Sequence, residues 1–199
     1  MERDTSSENE QLILRSIDRF IESDVRPIAH ELEINDIYPE KIVESLINLG
    51  LFGATIGQKY GGLGLSARTY TKIVERISAC WMSISGIFNS HLIAATAVER
   101  FGTEDQKAIW LPKMASGELR GGIALTEPDC GTDLQAIRTK AKRDRDGFLV
   151  NGTKMWITNS IKGNFLAILV VTNPNAKPRY DGISLLLVEK SAGYETSKL

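Results

Sequence analysis

The 199-residue sequence has two cysteines, six prolines and no excess of either charge, and each scarcity removes a class of protein. Cys80 and Cys130 form no disulfide framework and have no His or Cys neighbour at metal-ligand spacing, which points to a reducing compartment and no metal. Lys and Arg total 24 against 25 Asp and Glu, a net charge of -1. No basic field exists to hold nucleic acid or an anionic membrane surface. The longest apolar runs, 165–171 and 183–188, fall far short of the roughly 20 residues that a membrane helix needs, so no membrane insertion is expected. The N-terminus, MERDTSSENEQ, has neither the apolar segment of a secretory signal nor the Arg-rich, acid-poor character of a transit peptide. What is present is 42% apolar and 25% charged residues, the composition of a soluble chain that buries one or two ordinary cores.

The hydrophobic period changes once along the chain, near residue 118. Ser7 and Glu10 have capping-box spacing, and Ile13, Ile17, Phe20, Ile21, Val25 and Ile28 recur at helical intervals after them. Pro39 suits a first helical turn, Ile42, Val43, Leu46, Ile47 and Leu49 continue a face, and Gly50 supplies a C-terminal cap. Four glycines within 57–64 predict a loop of unusual backbone. Ser66 can cap a helix carrying Tyr70, Ile73, Val74 and Ile77; a break is expected near Ser83-Ile84-Ser85-Gly86, followed by a buried apolar helix to Val98. Thr103 and Gln106 form a second capping box, opening a helix that Pro112 interrupts and Gly117 closes. From Leu119 onward short strands are expected, with Asp146-Gly147 and Asn151-Gly152 as turns around Phe148-Leu149-Val150, and further strands at 165–172 and 183–188. The expected class is α+β and multidomain: an all-α helical domain, residues 1–118, then an incomplete antiparallel β-barrel-like domain, residues 119–199, of five or six strands.

Two segments of the β region carry candidate chemistry. IALTEPDCGTD, residues 123–133, ends an apolar run at Thr126; Pro128 fixes a turn, and Gly131-Thr132 lets backbone amides approach an anion. KMWITN, residues 154–159, sets the flat face of Trp156 beside the Thr158 hydroxyl, a pairing suited to a planar heteroaromatic ligand. By residue type alone, a plain turn and a core indole account for both segments more readily than a binding site does.

TEPDCGTD followed by NGTKMWITNS, with YGGLGLS and FGTEDQKAIWLPKMASGELRGG upstream, resembles the acyl-CoA dehydrogenase family over about residues 10–199. The resemblance implies a helical domain, a middle β domain and a C-terminal four-helix domain around FAD and an acyl-CoA thioester; this sequence supplies the first domain and the start of the second. It further implies that the backbone of Ile123 and Leu125 and the backbone and hydroxyl of Thr126 meet the pyrimidine edge of the flavin. Gly131 and Thr132 would meet the pyrophosphate, with Thr132 also near the substrate's CoA. Trp156 would lie against the isoalloxazine and Thr158 would bond flavin N5. Many relatives carry an aromatic residue where Ile123 stands, so only a backbone contact carries over there.

The reaction implied is α,β-dehydrogenation to a trans-2-enoyl-CoA, with electrons passed to an electron-transfer flavoprotein, by a dimeric or tetrameric enzyme. The implied location is the cytoplasm of a bacterium or the mitochondrial matrix of a eukaryote. The catalytic base is expected in the absent C-terminal domain, so no catalytic residue is assigned within this chain and the chain alone is expected to be inactive. Glu127 and Asp133 are read as turn and N–H acceptors, His30 as solvated, His91 as a satisfied core histidine and Cys130 as a packing residue. Two alternatives stand beside the dehydrogenase: a non-catalytic flavin- or acyl-CoA-binding subunit that pairs with a second chain, and an acyl-CoA oxidase-like enzyme.

Overall fold

A computed structural model describes residues 5–145, 147–191 and 193–197, with side chains from position 8 onward. The Ser7 side chain, Asp146 of the Asp146-Gly147 turn and the terminal Lys198 and Leu199 lie outside the described residues. The chain divides into two compact units, Met1–Glu118 and Leu119–Leu199.

The first unit is helical. Helices α1 (Thr5–Phe20) and α2 (Arg26–Ile34) are joined by a π-helical turn, Ile21–Val25. Pro27 explains the turn, since it has no N–H to give to a carbonyl four residues back and its ring needs extra room there. Leu14, Ile17, Phe20, Ile21, Val25 and Ala29 form the buried stripe across the junction. Helix α3 (Glu40–Asn48) buries Ile42, Val43 and Leu46 and ends at Gly50, whose φ of 73° is the left-handed conformation that favours glycine at this position.

Helix α4 (Ala67–Phe101) is capped by Ser66, whose hydroxyl accepts the Thr69 N–H at 3.2 Å. Its break lies at Trp81 (φ −155°, ψ 103°), ahead of the expected Ser83-Ile84-Ser85-Gly86. A tertiary bond accounts for the difference: the Trp81 indole N–H donates to the Glu33 carboxylate at the end of α2, and the Ser78 hydroxyl reaches Ser85 across the kink at 2.8 Å. Local Gly and Ser propensity does not report such a bond. Beyond the kink Ile84, Phe88, Leu92, Ala94, Ala95 and Val98 are buried. His91 is fully buried, its Nε2 3.1 Å from the Met114 carbonyl and its ring edge-on to Phe52, while His30 is exposed.

Helix α5 (Glu104–Ala115) opens with the reciprocal Thr103–Gln106 capping box. Pro112 sits within this helix and does not interrupt it. The helix continues through its last turn, where the Ser116 N–H reaches the Pro112 carbonyl at 3.0 Å.

The second unit is a five-stranded sheet among the described residues: β1 (Gly121–Ala124), β2 (Lys140–Asp144), β3 (Gly147–Asn151), β4 (Phe165–Val171) and β5 (Ile183–Glu189). The pairs β2–β3 and β4–β5 are antiparallel. The incomplete sheet is mixed, however, because β1 and the start of β2 both run parallel to β4. Strand β4 is buried along most of its length, as its unbroken apolar run requires of a strand covered on both faces. Leu166, Ile168 and Val170 join Ala124 and Ala141 in one core cluster, against which Val150, Ile157, Leu186, Val188 and Tyr194 pack. At Gly121 a Cβ would lie 2.4 Å from the Phe165 carbonyl oxygen, so glycine permits the close approach of β1 to β4. Asn151-Gly152 does not make a hairpin turn; it leads from β3 into irregular chain at residues 152–155.

Replacing Thr103 by Ala removes the hydroxyl half of the α5 capping box and is expected to cost about 1 kcal/mol of stability, read as a lower urea midpoint with unchanged slope.

Candidate functional site

The two candidate segments come together through the backbone and one buried ion pair. The first leaves β1 and continues through Leu125 and Thr126 to a tight loop in which Glu127 and Cys130 exchange backbone hydrogen bonds at 2.9 and 3.2 Å. The second is irregular chain and turn between β3 and β4, not a strand. Trp156 and Asn159 have φ of 60° and 67°, a left-handed backbone that costs non-glycine residues energy and bends the segment sharply around Ile157 and Thr158.

Backbone and side-chain bonds fasten the second segment to the end of β1 and the loop after it. The Met155 N–H donates to the Thr126 carbonyl at 2.9 Å, and the Asn159 side-chain amide donates to the Gly121 carbonyl at 2.7 Å. The Lys154 ammonium donates to the Leu125 carbonyl at 2.9 Å and to Glu127 Oε1 at 2.8 Å. Lys154 and Glu127 are among the most enclosed charged side chains of the unit, 8% and 6% exposed. Glu127 Oε1 also accepts the Thr139 N–H at 3.0 Å, and Oε2 accepts the Arg138 N–H at 2.6 Å. The carboxylate therefore also ties the chain entering β2 to the two segments.

Burial by itself would push the Glu127 carboxyl upward, but the hydrogen bonds from Lys154, Thr139 and the Arg138 N–H outweigh it and hold the group at about 2. Ionised, with three donors on its oxygens, Glu127 is an acceptor for structure and has little capacity to take a proton at neutral pH.

The expected site residues occupy the faces of this junction. Ile123 lies half-buried on β1 opposite Ala167, Leu125 and Thr126 are half-buried at its end, and Gly131 and Thr132 are exposed beyond the Cys130 loop. Nothing lies within 4 Å of where a Gly131 Cβ would stand. Trp156 is 74% exposed rather than packed in the core, and Thr158 is exposed beside it. The junction thus offers carbonyls, hydroxyls and a large uncovered indole along one short stretch of surface. Lys154 is the residue that reading the sequence missed. A lysine and a glutamate 27 positions apart look like two ordinary surface charges, and the only signal was their placement one or two residues from Thr126 and Trp156.

Comparison with known proteins identifies the family. Residues 7–118 match the profile described as "Acyl-CoA dehydrogenase, N-terminal domain" and residues 122–198 that of "Acyl-CoA dehydrogenase, middle domain". The chain belongs to the acyl-CoA dehydrogenase family. Among the relatives of this family member, (2S)-methylsuccinyl-CoA dehydrogenase of Cereibacter sphaeroides is 36% identical over 92% of the chain and 33% of its own length. The acyl-CoA dehydrogenase structure from Geobacillus kaustophilus superposes with a TM-score of 0.86 at 34% identity, covering 94% of this chain and 49% of that one. The Bacillus anthracis acyl-CoA dehydrogenase, solved in complex with FAD, gives a TM-score of 0.84 at 30% identity, covering 96% and 33%. The chain therefore spans between a third and a half of the relatives it matches. Among the described residues no helix is long and apolar enough to cross a membrane, and no group of three His, Cys, Asp or Glu side chains is placed to hold a metal ion.

The Glu127 pair should be visible in stability measurements. Its folded pKa of about 2 lies below the ordinary 4.5, so the unfolded chain takes up the proton first, and the stabilisation is present above pH 4.5 and lost as the pH falls toward 2. Across that window the wild type should lose on the order of 3 kcal/mol more than Glu127→Gln, measured by urea unfolding at a series of pH values.

Proposed function

We propose that this chain provides part of the FAD site of an enzyme that oxidises an acyl-CoA thioester to the trans-2-enoyl-CoA. The observation that carries the reading is the Met155 N–H bond to the Thr126 carbonyl, which brings the start of the Trp156–Thr158 turn, with its exposed indole and hydroxyl, to Thr126. A three-ring cofactor with a polar rim and flat faces fits that set of groups. Membership of a family with an FAD-bound relative supports the same assignment.

In this reading the backbone of Ile123 and Leu125 and the backbone and hydroxyl of Thr126 hold the polar pyrimidine edge of the flavin. The Trp156 indole lies against the ring system, and the Thr158 hydroxyl bonds N5. Gly131 and Thr132 face the pyrophosphate, where backbone N–H groups and a hydroxyl can approach phosphate oxygens closely, and Thr132 also borders the CoA portion of the substrate. The open space beside Gly131 is compatible with that approach. FAD, when bound, supplies the acceptor for the hydride that leaves the acyl β-carbon. Each protein hydrogen bond to it contributes on the order of 1 kcal/mol, so the set and not one member fixes its position.

Proton abstraction from the acyl α-carbon needs a carboxylate free to accept it. Glu127 is committed to Lys154, Arg138 and Thr139, so it serves the fold of the site and not the chemistry. The reading extends to residues 1–199 binding flavin on their own without turning over substrate. The working enzyme passes its electrons to an electron-transfer flavoprotein and assembles as a dimer or tetramer.

The test is titration of the purified chain with FAD, followed by an acyl-CoA. A perturbed visible flavin band that persists when the thioester is added is the expected result, and Thr158→Ala should weaken FAD binding about fivefold. Absence of any FAD binding would overturn the cofactor assignment, and anaerobic bleaching by the thioester would overturn the statement about the base.

A further inference from the structure

We propose that the Glu127–Lys154 ion pair is the positioning device of the site: it sets the register between the Thr126 and the Trp156–Thr158 segments and so governs flavin binding without touching the flavin. The inference rests on the flavin reading given above.

Three observations carry it. First, three residues of the second segment are tied to the end of β1 and the loop after it: Asn159 to Gly121, Lys154 to Leu125 and Glu127, Met155 to Thr126. Lys154 makes two of these and stands one residue before Met155, whose N–H is bonded to the residue next to Glu127. Losing the ammonium removes two ties and loosens a third. Second, Trp156 and Asn159 are held in left-handed backbone, which persists only where the surroundings over-determine it. The ties of Lys154 and Met155 precede Trp156 directly and the Asn159 tie closes the other side. Third, Lys154 is 8% exposed and its ammonium faces a carbonyl and a carboxylate, so it acts on a ligand through its neighbours and not as a direct counter-ion.

The chemistry of such a pair suits register better than stability. Desolvating two charges offsets most of what their attraction returns, and an apolar pair of similar volume would hold the fold as well or better. What an apolar pair cannot do is select one alignment, because only one alignment satisfies Lys154 with both Leu125 O and Glu127 while Glu127 also receives the Arg138 and Thr139 N–H groups. The surface pair Arg138–Asp129 nearby, 2.8 Å apart with both side chains largely exposed, has no such partners among the described residues and gives no comparable constraint.

The experiment compares the wild-type chain with Lys154→Met, Glu127→Gln and Lys154→Arg, reading FAD affinity, the fine structure of the bound-flavin band and hydrogen exchange at the Met155 amide. Lys154→Met and Glu127→Gln should weaken FAD binding about tenfold or more, blur the band and speed Met155 exchange, with protection in β4 retained. Lys154→Arg, which keeps the charge and the donors, should restore binding to within about threefold. Wild-type-like affinity and band shape in Lys154→Met, or failure of Lys154→Arg to restore either, would overturn the proposal. If the wild type itself takes up no FAD, the cofactor reading fails, and Met155 exchange alone then decides the positioning role: faster in Lys154→Met supports it, unchanged refutes it.

Discussion

Glu127 and Lys154 are drawn from loops on opposite sides of the β2–β3 hairpin, and each would be a costly buried charge without the other. Their meeting forces residues 121–127 and 154–159 to lie side by side, and the backbone bonds of Met155 and Asn159 then become possible in one register. Everything the junction offers a ligand follows from that alignment: the half-buried Thr126, the exposed Trp156 on its left-handed turn, and Thr158 beside it. The carboxylate that makes the alignment is, for the same reason, unavailable as a base.

The sheet supplies the platform on which this alignment rests. Strand β4 pairs with β1, β2 and β5 and is buried along most of its length, so the end of β1 is fixed against the most enclosed strand of the unit. Gly121 allows the approach and Ala124 enters the core, which leaves Leu125 as the first residue beyond it. Ile157 packs against the same core cluster, anchoring the turn from below while its two neighbours stay exposed. Alternation of buried and exposed positions around Ile157 does at the turn what alternation along a strand does elsewhere.

Much of the helical unit was legible because its signals are local. The Ser66 and Thr103 caps, the Gly50 terminus and the buried stripe of α1 through α2 depend on residues within one or two turns of each other. The kink of α4 falls a few residues ahead of the Ser-Gly stretch because it is set by the Trp81–Glu33 bond between positions 48 apart in sequence, and Pro112 removes one helical N–H bond without ending α5. In the β unit, β4 and β5 stood out as apolar runs, whereas the parallel pairing of β1 with β4 has no local signature. Within the candidate site, residue types singled out Thr126, Trp156 and Thr158 but not the pair that aligns them. A lysine–glutamate contact across 27 residues appears only once the chain is folded.

The most direct measurement is a crystal structure of the chain grown with FAD. The account predicts flavin electron density at the junction, its polar rim on Thr126 and Thr158 and its face on the Trp156 indole, with the Lys154–Glu127 contact intact beneath. Flavin bound elsewhere on the chain, or bound at the junction with Lys154 and Glu127 apart, would contradict it.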